Sequence, residues 1–382
     1  MRIAFLTPEY PHAKTGTAGG IGTSIKNLAE SLITLGHTVR ILVYGQKVDA
    51  VFEADGIVIQ QIKNVKIKGL SWYFTRKKLQ DIIDGLYEQQ LLDIVEAPDW
   101  TGITSFVQPQ KCPIVIRLNG SDTYFCHLDG RPVKWWNRYH EKRALQKANG
   151  HISVSHFTAE KTNELFGLQL PFTIIPNGIN PEKFQPDVTL QKLPNTILYF
   201  GTLIRKKGLL ELPLIFNQVI AKNPNAQLVL VGRDASDIAT GSTSTWQLMQ
   251  QLFTPEALKQ VNYLGGVPYE AVRAHIAQAS VCVFPTFAEA LPVSWLEAMA
   301  MEKAIVASNI GWAPEVIASV KDGILVNPKE HEAYSKAILD LLENETRNTI
   351  FGQNAAQKIK AVFANGLIAE QSVAFYQKYV KK

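Results

Sequence analysis

Cysteine is scarce in this chain: three residues among 382, at Cys112, Cys126 and Cys282. Three cysteines cannot all pair and show no zinc-type spacing, which fits a reducing, cytoplasmic setting. Long apolar runs are also missing. No stretch of eighteen apolar residues occurs, so nothing is expected to span a membrane, and the opening run Arg2–Thr7, closed by Pro8, reads as a first strand rather than a signal peptide. Neither sign of charge dominates, since 39 Lys and Arg against 34 Asp and Glu leave +5. The basic residues are spread out, which argues against a dedicated nucleic-acid binder. Their densest group, Lys63, Lys66, Lys68, Arg76, Lys77 and Lys78, reads first as a solvated face. Weak peripheral contact with an acidic membrane surface is the second reading.

What the chain does have is length for two cores, with 46% hydrophobic and 19% charged residues, the balance of an ordinary globular enzyme. Apolar runs alternate with helical patterns almost throughout, which predicts α/β architecture with parallel sheets covered on both faces. In the first half strands are expected at 3–7, 39–44, 57–62, 94–96, 114–118, 152–154 and 173–175, with an amphipathic helix over 24–35 stopped by Gly36. A proline-bearing polar segment, 176–194, reads as a linker. The alternation then restarts with strands at 197–200, 228–231, 261–264, 281–284, 305–307 and 324–326 and a helix over 209–220. Two doubly wound units with a ligand cleft at the carboxyl ends of their strands is the economical arrangement.

The most informative segment is Phe284–Ser308. Glu289 and Glu297 stand eight residues apart, Glu289 just past an apolar strand and Glu297 inside the helix that follows, with Pro292 placed in that helix's first turn. A helix start offers backbone N–H groups and a positive dipole end to an anion, and carboxylates accept paired sugar hydroxyls without a metal. The pattern suits a nucleotide sugar. Two further loops follow strands. Thr15–Thr23 is glycine-rich but lacks the dinucleotide spacing, and Gly201–Gly208 is cationic, a natural diphosphate clamp.

These segments resemble the family 4 retaining glycosyltransferases. Glu289 and Glu297 look like their Glu-x7-Glu motif, Gly20 and Gly22 their Gly-Gly loop, and Lys207 the lysine of their Gly-Arg-Leu-x3-Lys-Gly segment. The turns at Val231–Arg233 and Leu264–Val267, and segments out to Val326, extend the likeness over nearly the whole chain. The resemblance implies the GT-B fold: two Rossmann-like doubly wound domains facing a central cleft. The first, 1–180, would be the acceptor side, completed by a C-terminal helix over 366–382, and 181–365 would bind the donor. It implies transfer of a hexosyl unit from a UDP- or GDP-sugar to a sugar, lipid-linked sugar or other hydroxyl acceptor, without a metal or other cofactor. Glu289, Arg205, Lys207 and Asn119 would be catalytic. Glu297, Gly20, Gly22, Gly232, Arg233, Gly265, Val267, Ala290, Leu291 and Val293 would bind the donor. Two departures stand out. Thr202 occupies the place of the family's arginine, leaving Arg205 to substitute, and Asn119 stands where many relatives carry a histidine, with Asp122 and His127 nearby. The other readings are an epimerase or hydrolase of the same architecture and a non-catalytic sugar-nucleotide binder.

Overall fold

The computed structural model describes residues 1–16, 19–109, 111–186 and 189–380. The chain divides into two compact units, Met1–Gly178 with Ala364–Lys382, and Ile179–Phe363.

The first unit is built on an eight-stranded sheet: β1 Arg2–Thr7, β2 Thr38–Gln46, β3 Ala50–Ala54, β4 Ile57–Lys63, β5 Ile94–Pro98, β6 Ile114–Leu118, β7 Gly150–Ser153 and β8 Thr173–Ile174, in the order β3-β4-β2-β1-β5-β6-β7-β8. Neighbours run parallel except β3 and β4. Side chains alternate across each strand, and both faces are covered. Ile3 and Phe5 pack against Ile25, Leu28 and Leu32 of the helix Gly20–Thr34 and against Ile368 and Phe375 of Asn365–Tyr376, while Ala4 and Leu6 join Leu79 and Ile83 of Ser71–Glu88 on the opposite face. Strands buried on both sides read as continuous apolar runs. The β3–β4 hairpin was not expected, although Asp55-Gly56 at its tip is a turn signal: both residues have positive φ, 54° and 73°. The first helix begins at Gly20, four residues before the expected Ser24.

A buried ion pair joins the C-terminal segment to this core. Arg117 of β6 bonds both carboxylate oxygens of Glu96 of β5, at 2.8 and 3.1 Å. Ser372 accepts from Arg117 at 3.1 Å, and the Tyr376 hydroxyl donates to Glu96 at 2.6 Å.

The second unit has β9 Thr196–Phe200, β10 Gln227–Val231, β11 Val261–Tyr263, β12 Val281–Phe284, β13 Ile305–Ser308 and β14 Ile324–Val326, all parallel in the order β11-β10-β9-β12-β13-β14. Strand order reverses between β9 and β12. Open α/β sheets bind ligands beyond the carboxyl ends of the strands at such a reversal, and the loops that leave β9 and β12 there are the two that hold Lys207 and Glu289. The helix expected over 209–220 runs Leu212–Lys222, because residues 205–207 form a 3-10 turn that Gly208 ends in the left-handed region.

Candidate functional site

The loops after β9 and β12 are stitched together by backbone. Phe287 and Ala288 donate their N–H groups to the Lys206 carbonyl, at 2.8 and 3.2 Å. Gly208, with φ +72°, lies so close to the second loop that a Cβ would sit 1.7 Å from the Pro285 carbonyl oxygen. Only glycine meets both demands. The stitching sets Lys207 Nζ 2.7 Å from Glu289 Oε1. Burial pushes the Glu289 carboxyl up, but the ammonium groups of Lys207 and Lys206 outweigh it and hold the pKa below the ordinary value. The site therefore contains a fixed carboxylate and a cation that an incoming anion could share.

Glu297 is arranged differently. Its helix, Val293–Ala300, starts one residue after Pro292, which is the N-cap in extended conformation and not a member of the first turn as expected. Pro292 offers no side-chain oxygen to the first-turn amides. The helix is buried nearly all round, and Trp295 packs with its ring centroid 4.7 Å from Trp312 and 6.1 Å from Phe284. Glu297 is consequently only 4% exposed. Burial raises its pKa to about 7, against the pull of Lys207 and of a hydrogen bond from the Tyr269 hydroxyl to Oε1. One motif carboxyl is ionised and the other is poised near neutrality, a separation common at functional sites. Tyr269 follows the loop after β11 and was invisible to sequence reasoning, being 28 residues from Glu297 with no linking pattern.

Arg205 is placed otherwise than expected. Its Nε and Nη2 hold Asp237 in a two-point pair at 2.7 and 2.8 Å. That pairing depresses the Asp237 pKa to about 2. The arginine is thus already compensated and does not stand as an open cation beside Lys207. The remaining donor-side positions gather at the ends of β9, β10 and β11. Gly201 donates to the Val231 carbonyl and Gly232 to the Gly265 carbonyl, each at 2.8 Å, and a Cβ on Gly232 would lie 1.8 Å from the Gly201 oxygen. Arg233 is exposed with its Cγ over Gly266, and Val267 is half-buried in the same turn. Ala290, Leu291 and Val293 are buried at the entrance to the Glu297 helix.

In the first unit Gly20 opens a helix, and the Gly22 N–H donates to Glu9 Oε1 at 3.0 Å. An internal carboxylate thus takes a backbone amide of the loop expected to face the donor. Thr17 and Ala18 of that loop lie outside the described residues. Asn119 follows β6. Its N–H donates to Asp99 Oδ1 at 2.9 Å, and its side-chain amide reaches back to the Arg117 carbonyl at 3.4 Å. Asp99 and Glu141, neither foreseen, are buried, and burial pushes each carboxyl up to about 7. Glu141 accepts from the Thr101, Asp122 and Thr123 amides, whereas Asp99 Oδ2 has no partner among the described residues. Asp122 also accepts from Asn137 at 2.8 Å, and His127 is exposed in the last helical turn. Among the described residues no cluster of three or more His, Cys, Asp or Glu could hold a metal ion.

Residues 181–358 match the model of glycosyl transferases group 1, and residues 18–183 that of glycosyltransferase family 4. An uncharacterized glycosyltransferase of Methanocaldococcus jannaschii is 23% identical across 99% of this chain and 98% of its own length. Alpha-maltose-1-phosphate synthase of Mycolicibacterium smegmatis is 30% identical over 62% of this chain and 65% of its own. Among solved structures, sucrose-phosphate synthase of Thermosynechococcus elongatus superposes with TM-score 0.79 at 21% identity, covering 99% of both chains. Anabaena HepE, solved with UDP and glucose, gives 0.75 at 18% identity with the same coverage.

Proposed function

The chain belongs to the family 4 glycosyltransferases of GT-B fold, and we propose that it is a retaining enzyme moving a hexosyl unit from a UDP- or GDP-sugar to a hydroxyl acceptor. The products would be glycans, polysaccharides or glycolipids. The observation that carries this reading is the Lys207–Glu289 pair at the strand reversal, with Glu297 eight residues further on in a buried helix. When the donor binds, the diphosphate draws Lys207 toward itself. Glu289 then holds hydroxyls of the transferred sugar and Glu297 those of the ribose. As the bond between the anomeric carbon and the diphosphate oxygen breaks, the acceptor oxygen bonds to that carbon on the same face. The acceptor proton passes to the departing phosphate oxygen. Lys207 and the amides at the start of Val293–Ala300 stabilise the growing charge, as preorganised donors commonly do. Asn119 supplies a neutral hydrogen-bonding amide in place of a titratable group.

The names of relatives support this direction. The Anabaena protein was solved with UDP-glucose, and a Corynebacterium glutamicum relative is a GDP-mannose-dependent mannosyltransferase acting on a phosphatidylinositol mannoside. No metal takes part in this reading, so turnover should survive chelation by EDTA. The test is nucleotide release from a panel of UDP- and GDP-sugars with and without acceptors, followed by NMR of the product's anomeric configuration. Inversion at the anomeric carbon, or no nucleotide released from any donor, would overturn it.

Among the described residues no helix is long and apolar enough to cross a membrane. In the basic group, Lys78 is paired with Asp49 and Lys77 reaches Gln80 at 3.1 Å, while Lys66 and Lys68 are exposed. Any contact with anionic lipid would therefore be weak. Pelleting with anionic vesicles should occur at low salt and vanish near ~0.5 M, where screening acts within about 4 Å. Salt-insensitive pelleting would reject an electrostatic contact.

A further inference from the structure

A separate cavity of about 300 Å³ lies in the first unit, beyond the carboxyl ends of β2, β4 and β5, lined by Tyr44, Trp72, Arg76, Trp136, Asn137 and His140. Its volume is at the lower end of ligand pockets, the scale of a single sugar ring. Arg76 is 8% exposed, yet its three hydrogen bonds go to neutral oxygens: Ser105 Oγ at 3.1 Å and the Trp72 and Gly102 carbonyls at 3.1 and 3.3 Å. No carboxylate among the described residues pairs with it. Of the acids near this cavity, Glu9 accepts from the Gly22 amide, Asp122 from Asn137, and Glu141 from the Thr101, Asp122 and Thr123 amides. A buried cation without a counter-ion is costly and is tolerated where a ligand supplies the charge.

A second polar side chain, His140, stands beside this cation. Ser105 Oγ accepts from Arg76 and lies within hydrogen-bonding distance of His140 Nδ1, at 2.7 Å. Burial first, and then the charges of Arg76 and Arg143, lower the His140 pKa to about 4, so the ring is neutral and adds no charge to the cavity. His140 is 2% exposed, and Nε2 has no partner among the described residues. The indoles of Trp72 and Trp136 meet edge to face at 5.3 Å, with the His140 ring 5.1 and 4.6 Å from them. Aromatic rings beside an unpartnered imidazole nitrogen and one uncompensated guanidinium form a recognition set for a ring with an acidic substituent.

We propose that this cavity takes the acceptor, and that the acceptor is a sugar or cyclitol ring bearing a phosphate or carboxylate, its acidic group on Arg76 and His140 and its ring against Trp72 and Trp136. The acceptor role rests on the transfer reading above; the ligand class does not. One chemistry could arrive from two sources, a free sugar acid or a lipid headgroup. The test is calorimetric titration of the whole chain, without any nucleotide sugar, using glucose 6-phosphate, glucuronate, glucose and vesicles of phosphatidylinositol in phosphatidylcholine. An acidic ligand should bind at least tenfold more tightly than glucose, and Arg76→Met should erase that preference. Acid preference confined to the vesicles assigns the headgroup, and preference among the soluble ligands assigns a free sugar acid. Equal binding of glucose and both acids with no vesicle binding, or a preference that survives Arg76→Met, overturns the proposal. Should Arg76→Met fail to fold, Trp136→Ala, at a partly exposed ring, must weaken the preferred acidic ligand at least fivefold; unchanged affinity overturns it equally. Nucleotide release is read separately, so an acid preference in a chain that consumes no donor would remove the acceptor role and leave the ligand class standing.

Discussion

At the residue scale, the two motif glutamates differ because of what surrounds them. Glu289 has Lys207 at 2.7 Å and stays ionised, whereas Glu297, with a tyrosine for a partner, is raised to about 7. A carboxyl whose folded pKa exceeds its ordinary value favours the fold fully below that ordinary value. Its contribution is lost as pH rises through the folded pKa. Glu297→Gln should therefore be more stable than the parent at pH 8, by on the order of 3 kcal/mol, with the gap closing toward pH 5. Urea titrations at the two pH values check this, and an equal gap at both would refute the raised pKa. Nucleotide affinity of the parent should fall below pH 7, where Glu297 takes up a proton, and that fall should be absent in the glutamine variant.

The cations of the same loop should separate in a similar way. Lys207→Ala loses a charge-assisted contact of ~1.5–3 kcal/mol, lowering kcat/KM by roughly tenfold to a hundredfold. Arg205→Ala should lower kcat/KM by no more than about fivefold. Its larger effect should be on melting temperature, because buried Asp237 loses its counter-ion. Restored stability in Arg205→Ala with Asp237→Asn would confirm that assignment. A catalytic loss as large as that of Lys207→Ala would return Arg205 to the clamp.

At the scale of elements, the site depends on loops that touch through glycine. Gly208→Ala places a methyl against the Pro285 carbonyl and strains a positive φ at once. A loss of at least ~2 kcal/mol in unfolding free energy is expected, with weaker nucleotide binding as the loops part. Gly20→Ala has open space around its Cβ and should be close to neutral in the same measurement. These contacts explain which features were readable. Glu289, Glu297 and Lys207 sit on short stretches whose spacing alone puts them at a strand end or in the following helix. Asp237, Tyr269 and Glu9 become partners only when distant loops meet, so no local pattern announces them.

At the scale of the whole molecule, the chain ends by returning to its first unit. Helix Asn365–Tyr376 covers β1, and Ser372 and Tyr376 satisfy the buried Arg117–Glu96 pair. Tyr376→Phe should cost about 1–3 kcal/mol, because buried Glu96 is left with one donor fewer. Removal of 364–382 should cost far more and open the first unit to proteolysis at β5 and β6. An unchanged cleavage pattern would show that the segment is dispensable.

Architecture was legible because it follows from local periodicity. Parallel strands covered on both faces must be apolar throughout, and the helices between them must be amphipathic, so composition along the chain reveals two α/β units. Strand order is different in kind, since many orders are compatible with the same alternation. The reversal between β9 and β12, which brings the Lys207 and Glu289 loops together, belongs to the tertiary structure. So do the charge states. Glu297, Asp99 and Glu141 are ordinary carboxylates in sequence, and burial makes them titrate near neutrality. Arg76, which as sequence belongs to a solvated basic patch, becomes a buried cation because its helix packs it beneath Trp72 and against Ser105. Residue types and spacings are properties of the chain, but desolvation and pairing exist only once remote segments exclude water from one another.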